Sequence, residues 1–448
     1  MPHYENRNAL ILGAGKSGLA AARLILALNG RASIVDRSWN PRRRTEIGSE
    51  GITCLNATDT LPDGAYDLLI VSPSIPMDHP WLKIARTRGL AIISEMELAG
   101  RCWKGDILAL TGSKGKSSAV KCLADTLNLS GKSAVTAGNF GTPLSERVLQ
   151  YPNRGRGIIA VTEVSSFQME HTRTFDPRLA AILNIQSDHL DRHASMAEYE
   201  NLKRKIFQAQ RPNTDATAFL PEGFSPEGIP SGVPLETFGT AAMSDWTYRP
   251  GAVTHGQTSI TVAGVFDNPI LGPTAALIVA MLTHSGLTPE QIAAGFAAYK
   301  PLPHRMQTLG SLNGAIWVDD SKATSLTATE AALRMLPGPG KARLIAGGLL
   351  KEKNLVFLKE TLCNQAAAVY LIGDCAHRLY DAWHDAVPCH LCDTLDRAAN
   401  RAFREAQPGE TILLSPGCAS FDQFEGMAAR GEAFRTCFEH AAKSETSA

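Results

Sequence analysis

A lysine and a serine close the glycine-rich turn Gly112-Ser113-Lys114-Gly115-Lys116-Ser117, directly after the apolar run at 107–110. A strand ending in such a turn aims several backbone N–H groups at one point. The helix-like pattern that follows (Ala119, Val120, Leu123, Ala124, Leu127) adds the positive end of its dipole. A polyphosphate fits that field: Lys116 can bridge the terminal phosphates, and the Ser117 hydroxyl can ligate Mg²⁺. Two residues, Ser113 and Lys114, separate the glycines, where the commonest phosphate loop has four. The short form points to ATP-dependent ligases rather than GTPase switches.

Further groups stand at predicted strand ends. Glu163 follows a strand at 157–161, where its carboxylate can meet a Mg²⁺ held by Ser117 and phosphate oxygens. Asp188-His189-Leu190-Asp191-Arg192-His193 follows a strand at 180–184. So dense a set of titratable side chains makes a poor core and either a polar site rim or a solvated loop. Lys203 and Lys205, on the helix-like 196–207, can point back at it. Cys389-His390-Leu391-Cys392, with Cys375, His377 and His384 upstream, lacks the second ligand pair of a structural zinc site. It reads instead as a short strand feeding the helix-like 395–403.

The elements that must position these groups alternate strand and helix in three blocks, the α/β pattern. Residues 1–100 open with a strand at 9–12, the turn Gly13-Ala14-Gly15-Lys16-Ser17-Gly18 and a helix at 19–28. A strand at 32–35 ends at Asp36, and one at 67–71 ends at Ser72. This is a Rossmann-like nucleotide-binding half-unit with Asp36 where a ribose or base contact is usual. Residues 101–300 carry the phosphate loop; 211–239, rich in Pro and Gly, read as irregular or short-stranded. Residues 301–448 begin after Lys300-Pro301-Leu302-Pro303 and carry strands at 315–318, 343–346, 368–372 and 411–414.

Composition sets the class. The 448 residues contain 44 Lys+Arg and 44 Asp+Glu, so no charge excess calls for nucleic acid or a membrane surface. No apolar run nears the roughly 20 residues that span a bilayer. Residues 1–6 lack a signal-peptide layout. Nine scattered cysteines fit reduced thiols, so the expectation is a cytoplasmic protein; small-molecule partners and a monomeric state are separate expectations.

Taken together, several stretches resemble one family. They are Thr111-Gly112-x-x-Gly115-Lys116-Ser117; Glu163-Val164-Ser165-Ser166-Phe167-Gln168; Asn184-x-x-x-Asp188-His189-Leu190-Asp191-Arg192-His193; Tyr199-x-x-x-Lys203; Pro303-His304-Arg305; Asp320-Ser321-Lys322-Ala323-Thr324; and Leu414-Ser415-Pro416-x-Cys418-Ala419-Ser420-x-Asp422-Gln423-Phe424. In order along all three blocks, they are similar to the Mur ligases, which build peptidoglycan precursors.

The resemblance implies a UDP-sugar domain, a central P-loop ATPase and a C-terminal Rossmann-like domain for the amino acid. It implies ATP-dependent addition of D-glutamate to UDP-N-acetylmuramoyl-L-alanine through an acyl phosphate. In that reading Gly112 to Ser118, Arg305 and Asp320 bind ATP, and Lys116 stabilises the transferring phosphoryl group. Ser117 and Glu163 hold one Mg²⁺, while His189 and a carbamylated Lys203 hold a second. Lys16, Ser17, Asp36, Arg37, Ser72, Asn139, Ser165 and Gln168 meet the UDP-muramoyl substrate. Lys322, Thr324, Lys351, Ser420 and Met427 line the glutamate site.

The chain departs from the family pattern at several places. Leu349 stands where a carboxylate is usual, leaving the lysine role to Lys351 or Lys353. The segment 268–272 lacks a usual His and a second Asn, ending in Gly272. Met427 replaces an aromatic, and Lys114 an asparagine. A ligase with another amino-acid preference, L-glutamate included, is therefore the alternative. Gly13-x-Gly15-x-x-Gly18 with Asp36 also satisfies a dinucleotide fingerprint, so an NAD-dependent oxidoreductase is the rival from another class.

Overall fold

The computed structural model describes residues 4–446 apart from 59, 63, 188, 190, 191, 337, 339 and 340. Three sheets carry the chain. The first contains β1 (Asn8–Leu12), β2 (Arg31–Asp36), β3 (Thr53–Asn56), β4 (Leu68–Val71) and β5 (Ala91–Ser94), in the order β3-β2-β1-β4-β5. All its neighbours are parallel. The order reverses between β1 and β4, which places a crevice for a ligand beyond their carboxyl ends.

The second sheet contains β6 (Ile107–Thr111), β7 (Ala134–Gly138), β8 (Ile159–Glu163), β9 (Leu179–Ile182), β10 (Thr217–Pro221), β11 (Leu235–Gly239), β12 (Trp246–Arg249), β13 (Ala252–His255) and β14 (Thr258–Thr261). Its order is β14-β13-β12-β11-β10-β9-β6-β8-β7. Strands β12 to β14 form an antiparallel meander on an otherwise parallel sheet. Because β6 pairs with both β8 and β9, the phosphate loop leaves the sheet at a second reversal. Glu163 closes β8 itself rather than following it, and the 211–239 segment supplies two parallel strands, β10 and β11.

The third sheet contains β15 (Gln307–Leu312), β16 (Ala315–Asp319), β17 (Ala342–Gly347), β18 (Ala366–Ile372), β19 (Cys389–Asp393) and β20 (Thr411–Leu414), ordered β15-β16-β20-β17-β18-β19. Only β15 is antiparallel. Two compact units result: residues 1–267 with 271–299, holding sheets one and two, and residues 300–448 with 268–270, holding sheet three.

Packing follows from pattern. The helix Gly272–His284 is apolar on all sides and its side chains from 274 to 282 are buried, so it sits inside the core over sheet two. Each fully buried Leu or Ile there contributes about 1.5–3 kcal/mol. Gly272 begins this helix because a Cβ would lie 2.2 Å from the Tyr248 ring, whose hydroxyl donates to Asp267 at 2.7 Å. All nine cysteines are free thiols. Cys389 packs into the cluster around Trp383, whereas Cys392 packs with Leu395 in a different cluster. The edge strand thus turns the two thiols away from one another.

Candidate active site

The phosphate loop is held from below by the chain beyond β9. The N–H groups of Ser113 and Lys114 both donate to Asn184 Oδ1, at 3.1 and 2.9 Å, and Asn184 Nδ2 donates to the Lys114 carbonyl at 3.1 Å. Ser113 Oγ donates to the Gln186 carbonyl at 2.9 Å and meets the Tyr199 hydroxyl at 3.1 Å. Gly115, at φ +83°, turns the chain into the helix Lys116–Leu129, which has no side-chain cap. Its first N–H groups therefore face the loop, where an anion can satisfy them.

Around this loop the sequence-derived residues converge. Ser117 Oγ donates to Glu163 Oε2 at 2.7 Å, and Asn139 Nδ2 donates to Glu163 Oε1 at 2.7 Å. Lys116 Nζ donates to the carbonyls of Gly112 and Ser113 at 2.8 and 3.0 Å. Lys203, only 2% exposed, donates to the same Gly112 carbonyl at 2.8 Å and lies 4.5 Å over the Tyr199 ring. Ser118 is half-buried on the first helical turn.

Ser117 and Glu163 are hard oxygen donors, the chemistry that suits Mg²⁺. Among the described residues no group of three or more His, Cys, Asp or Glu gathers as a metal site. A cation here would take much of its shell from nucleotide phosphates and water, as Mg²⁺ ordinarily does.

His189, exposed and at φ +55°, has its ring 5.0 Å from Phe167 and 6.5 Å from Tyr199. His193 is buried, meets Ser166 Oγ at 3.0 Å and stacks on Phe167 at 5.1 Å; burial pulls its imidazole below the usual pKa. Asp188, Leu190 and Asp191 lie outside the described residues. Ser165 and Gln168 form a capping box on the helix Ser166–Met169: Ser165 N–H donates to Gln168 Oε1 at 3.0 Å, and Gln168 N–H to Ser165 Oγ at 3.3 Å. Their side chains thus shape the turn after β8.

The candidates at 13–72 gather at the reversal of the first sheet. Asp36 accepts from the Ala14 and Arg37 N–H groups at 2.7 Å each, so it also fixes the glycine turn. Ser72 Oγ donates to the Gly13 carbonyl at 3.2 Å. A Cβ on Gly18 would fall 1.9 Å from that same carbonyl, which is why helix and turn approach so closely. Lys16 and Arg37 are exposed at this edge, and Ser17 is half-buried.

In the second unit, loops after β16, β17 and β20 meet. The Gly347 N–H donates to Pro416 O at 2.9 Å, and Leu349 and Ala419 exchange backbone bonds of 2.8 and 3.0 Å. Asp320 accepts from Met306 N–H at 3.2 Å and Ser415 Oγ at 2.9 Å, so its buried carboxylate fixes the turn that carries Arg305. Lys322 and Lys351 are exposed, Thr324 and Met427 half-buried, and Ser420 buried. Ser321 Oγ donates to Met427 O at 2.8 Å.

One buried group there escaped the sequence reading. The Arg430 guanidinium, 1% exposed, donates to Ser321 Oγ and O and to Cys418 O at 2.9–3.1 Å. It ties the 321–324 loop to the 415–420 loop. Its place on the helix Met427–Thr446 reads in sequence as a solvated charge, so no local signal marked it.

A short phosphate loop at the reversal of a largely parallel sheet, with a hydroxyl–carboxylate pair beside it, defines a P-loop nucleotide-binding protein built on Rossmann-like sheets. Comparison with known proteins narrows this. Residues 7–94 match the Mur ligase MurD-like N-terminal domain, 110–263 the Mur ligase middle domain, and 304–418 the Mur ligase glutamate ligase domain. The chain is 34% identical over 460 residues to UDP-N-acetylmuramoylalanine–D-glutamate ligase of Myxococcus xanthus, covering 97% of this chain and 98% of that one. It is 32% identical over 452 residues to the ligase of the same name from Chromobacterium violaceum, covering 96% and 97%. The chain belongs to the Mur ligase family.

Solved structures agree on the fold. MurF ligase from Thermotoga maritima, in complex with ADP, superposes with a TM-score of 0.63 at 16% identity over 99% of this chain and all of that one (100%). UDP-N-acetylmuramate-alanine ligase MurC from the same organism gives 0.59 at 14% identity, covering 97% and 99%. The first sheet, which alone also fits a dinucleotide fingerprint, matches the MurD-like N-terminal domain, and the oxidoreductase alternative falls. Among the described residues no helix is long and apolar enough to cross a membrane.

Proposed function

We infer that the protein is an ATP-dependent ligase that joins D-glutamate to UDP-N-acetylmuramoyl-L-alanine in peptidoglycan precursor synthesis, as a cytoplasmic monomer. The observation that carries this reading is near full-length identity of 32–34% to ligases of that name, combined with the phosphate-loop geometry. A carboxylate does not acylate an amine at neutral pH, because oxide would have to leave. Transfer of the ATP γ-phosphoryl to the substrate carboxylate makes an acyl phosphate and ADP. Attack by the free amine of glutamate then expels phosphate and leaves the amide.

In this mechanism the helix N-terminus and Lys116 hold the phosphates and spread the charge of the transferring group. Ser117 and Glu163 would hold one Mg²⁺. Bound Mg²⁺ neutralises phosphate charge and polarises the reacting oxygens. Lys203, were its amine carbamylated, would hold a second ion together with His189, because an ammonium repels a cation whereas a carbamate oxygen would bind it. Lys16, Ser17, Asp36, Arg37, Ser72 and Asn139 receive the UDP-sugar, with Ser165 and Gln168 shaping the neighbouring turn. Arg305 contacts ATP from a turn that Asp320 fixes. Lys322, Thr324, Lys351, Ser420 and Met427 receive the amino acid.

Leu349 and Met427 favour a second outcome, a changed amino-acid preference, since both are apolar where the family carries an acid and an aromatic. Phosphate release with ATP, Mg²⁺ and UDP-N-acetylmuramoyl-L-alanine, on adding D-glutamate, L-glutamate and other amino acids in turn, decides. Stimulation by D-glutamate supports the reading. Stimulation by L-glutamate keeps the chemistry and changes the specificity, and stimulation by none defeats it.

A further inference from the structure

Arg192 belongs to the polar rim yet has no part in the phosphate or metal chemistry above. Its guanidinium reaches out of the second sheet to the loop that follows β4 in the first. It donates to the Pro73 carbonyl at 3.1 Å and to the Ile75 carbonyl at 2.6 Å. The nitrogen that meets Ile75, Nη2, also pairs with Glu170 at 2.9 and 3.2 Å, and the guanidinium lies 4.7 Å over the Phe167 ring. The pair is largely shielded, with side-chain exposures of 18% for Arg192 and 2% for Glu170.

Each contact connects a different part of the machinery. The gripped loop begins at Ser72, whose hydroxyl closes onto Gly13 at the reversal of the first sheet. Phe167 follows the turn after Glu163 and touches the His189 ring at 5.0 Å. The Arg192 backbone N–H donates to the His189 carbonyl at 3.0 Å. One side chain thus spans from the nucleotide-sugar edge of the first sheet to the rim of the phosphate site. Only a group with several donors in a fixed fork can meet two carbonyls and a carboxylate while standing over an aromatic ring.

We propose that Arg192 is a positioning residue that sets where the UDP-sugar substrate's carboxylate lies relative to the ATP γ-phosphate, by clamping the Pro73–Ile75 loop to Glu170 and Phe167. The proposal rests on the ligase reading. Phosphoryl transfer to a carboxylate depends on alignment, and a displacement near 1 Å can cost about 10²-fold in rate. A misplaced acyl phosphate also meets water before it meets the amine.

Arg192→Ala and Arg192→Lys in the full chain, assayed for both KM values and for phosphate released per amide formed, test it. The expected result for Arg192→Ala is a KM for UDP-N-acetylmuramoyl-L-alanine raised about tenfold or more, a KM for ATP unchanged within about twofold, and excess phosphate per amide. Arg192→Lys falls between. Equal changes in both KM values, or unchanged coupling in a folded variant, overturn the proposal. Where Arg192→Ala does not fold, Phe167→Leu removes the platform under the guanidinium and must show the same KM split. A wild-type protein with no turnover on this substrate would instead overturn the ligase reading beneath it.

Discussion

Lys116 and Lys203 place their ammonium groups on one backbone oxygen, that of Gly112, each at 2.8 Å. Two cations on a single neutral acceptor in a buried site repel one another, and a carboxylate-bearing form of one would turn the repulsion into attraction. Lys203 is the one enclosed by Tyr199 and the loop, whereas Lys116 starts the helix whose N-terminus has no side-chain cap.

Lys203→Arg keeps the positive charge and cannot become the same carbamate. Its kcat falls by about 10²-fold or more, the cost of losing one charge-stabilising group at the reacting centre. Carbon-13 NMR of wild type under labelled CO₂ shows one carbamate resonance that the variant lacks. A wild-type spectrum without it removes the modification from the mechanism.

In the mechanism proposed above, Lys116→Ala removes the group that acts on the phosphoryl in flight. The expected loss is about 10²–10³ in kcat. Binding of UDP-N-acetylmuramoyl-L-alanine by calorimetry stays unchanged if, as proposed, that substrate docks at the first sheet. A variant with near-normal kcat would place the charge elsewhere.

Burial pushes Asp320 from 3.8 up to about 7. Between those values the folded chain holds a proton that the unfolded chain has released, so the stability it supplies is full at low pH and is lost as pH rises toward 7. Each unit of separation corresponds to about 1.4 kcal/mol. Hydrogen exchange in β16 therefore speeds between pH 5 and pH 7.5 by more than intrinsic chemistry requires, and Asp320→Asn flattens that excess. An equal excess in the variant assigns it to another group.

Gly18→Ala drives a methyl group into the Gly13 carbonyl. Overpacking of this kind costs about 1–3 kcal/mol, and the glycine turn must open to relieve it. Thermal unfolding and the KM for the UDP-sugar report both effects; an unchanged melting temperature would show that the turn yields freely.

The Ser117–Glu163 pair was legible because parallel strands deliver their carboxyl ends to one edge, so a motif after β6 and an acid at the end of β8 must meet there. Apolar runs marked the central strands of each sheet because both faces of those strands are buried. Strands β3, β5, β7 and β12 to β15 were not foreseen. Several are short or lie at an edge, and Thr258–Thr261, mostly exposed, carries one buried apolar residue. Asn184 stood in a quoted motif, but its bond to the loop backbone depends on the approach of β9. Arg192 was marked only as part of a polar rim or solvated loop and Arg430 was not marked at all, since only the assembled fold shows what surrounds them.

Gly272 and Tyr248 share one volume, and the consequence is historical. Any larger residue at 272 must wait until 248 has shrunk, and shrinking 248 first leaves a hole under the most apolar helix of the protein. Either order passes through an unfit intermediate, so drift at these two sites proceeds as a pair or stalls.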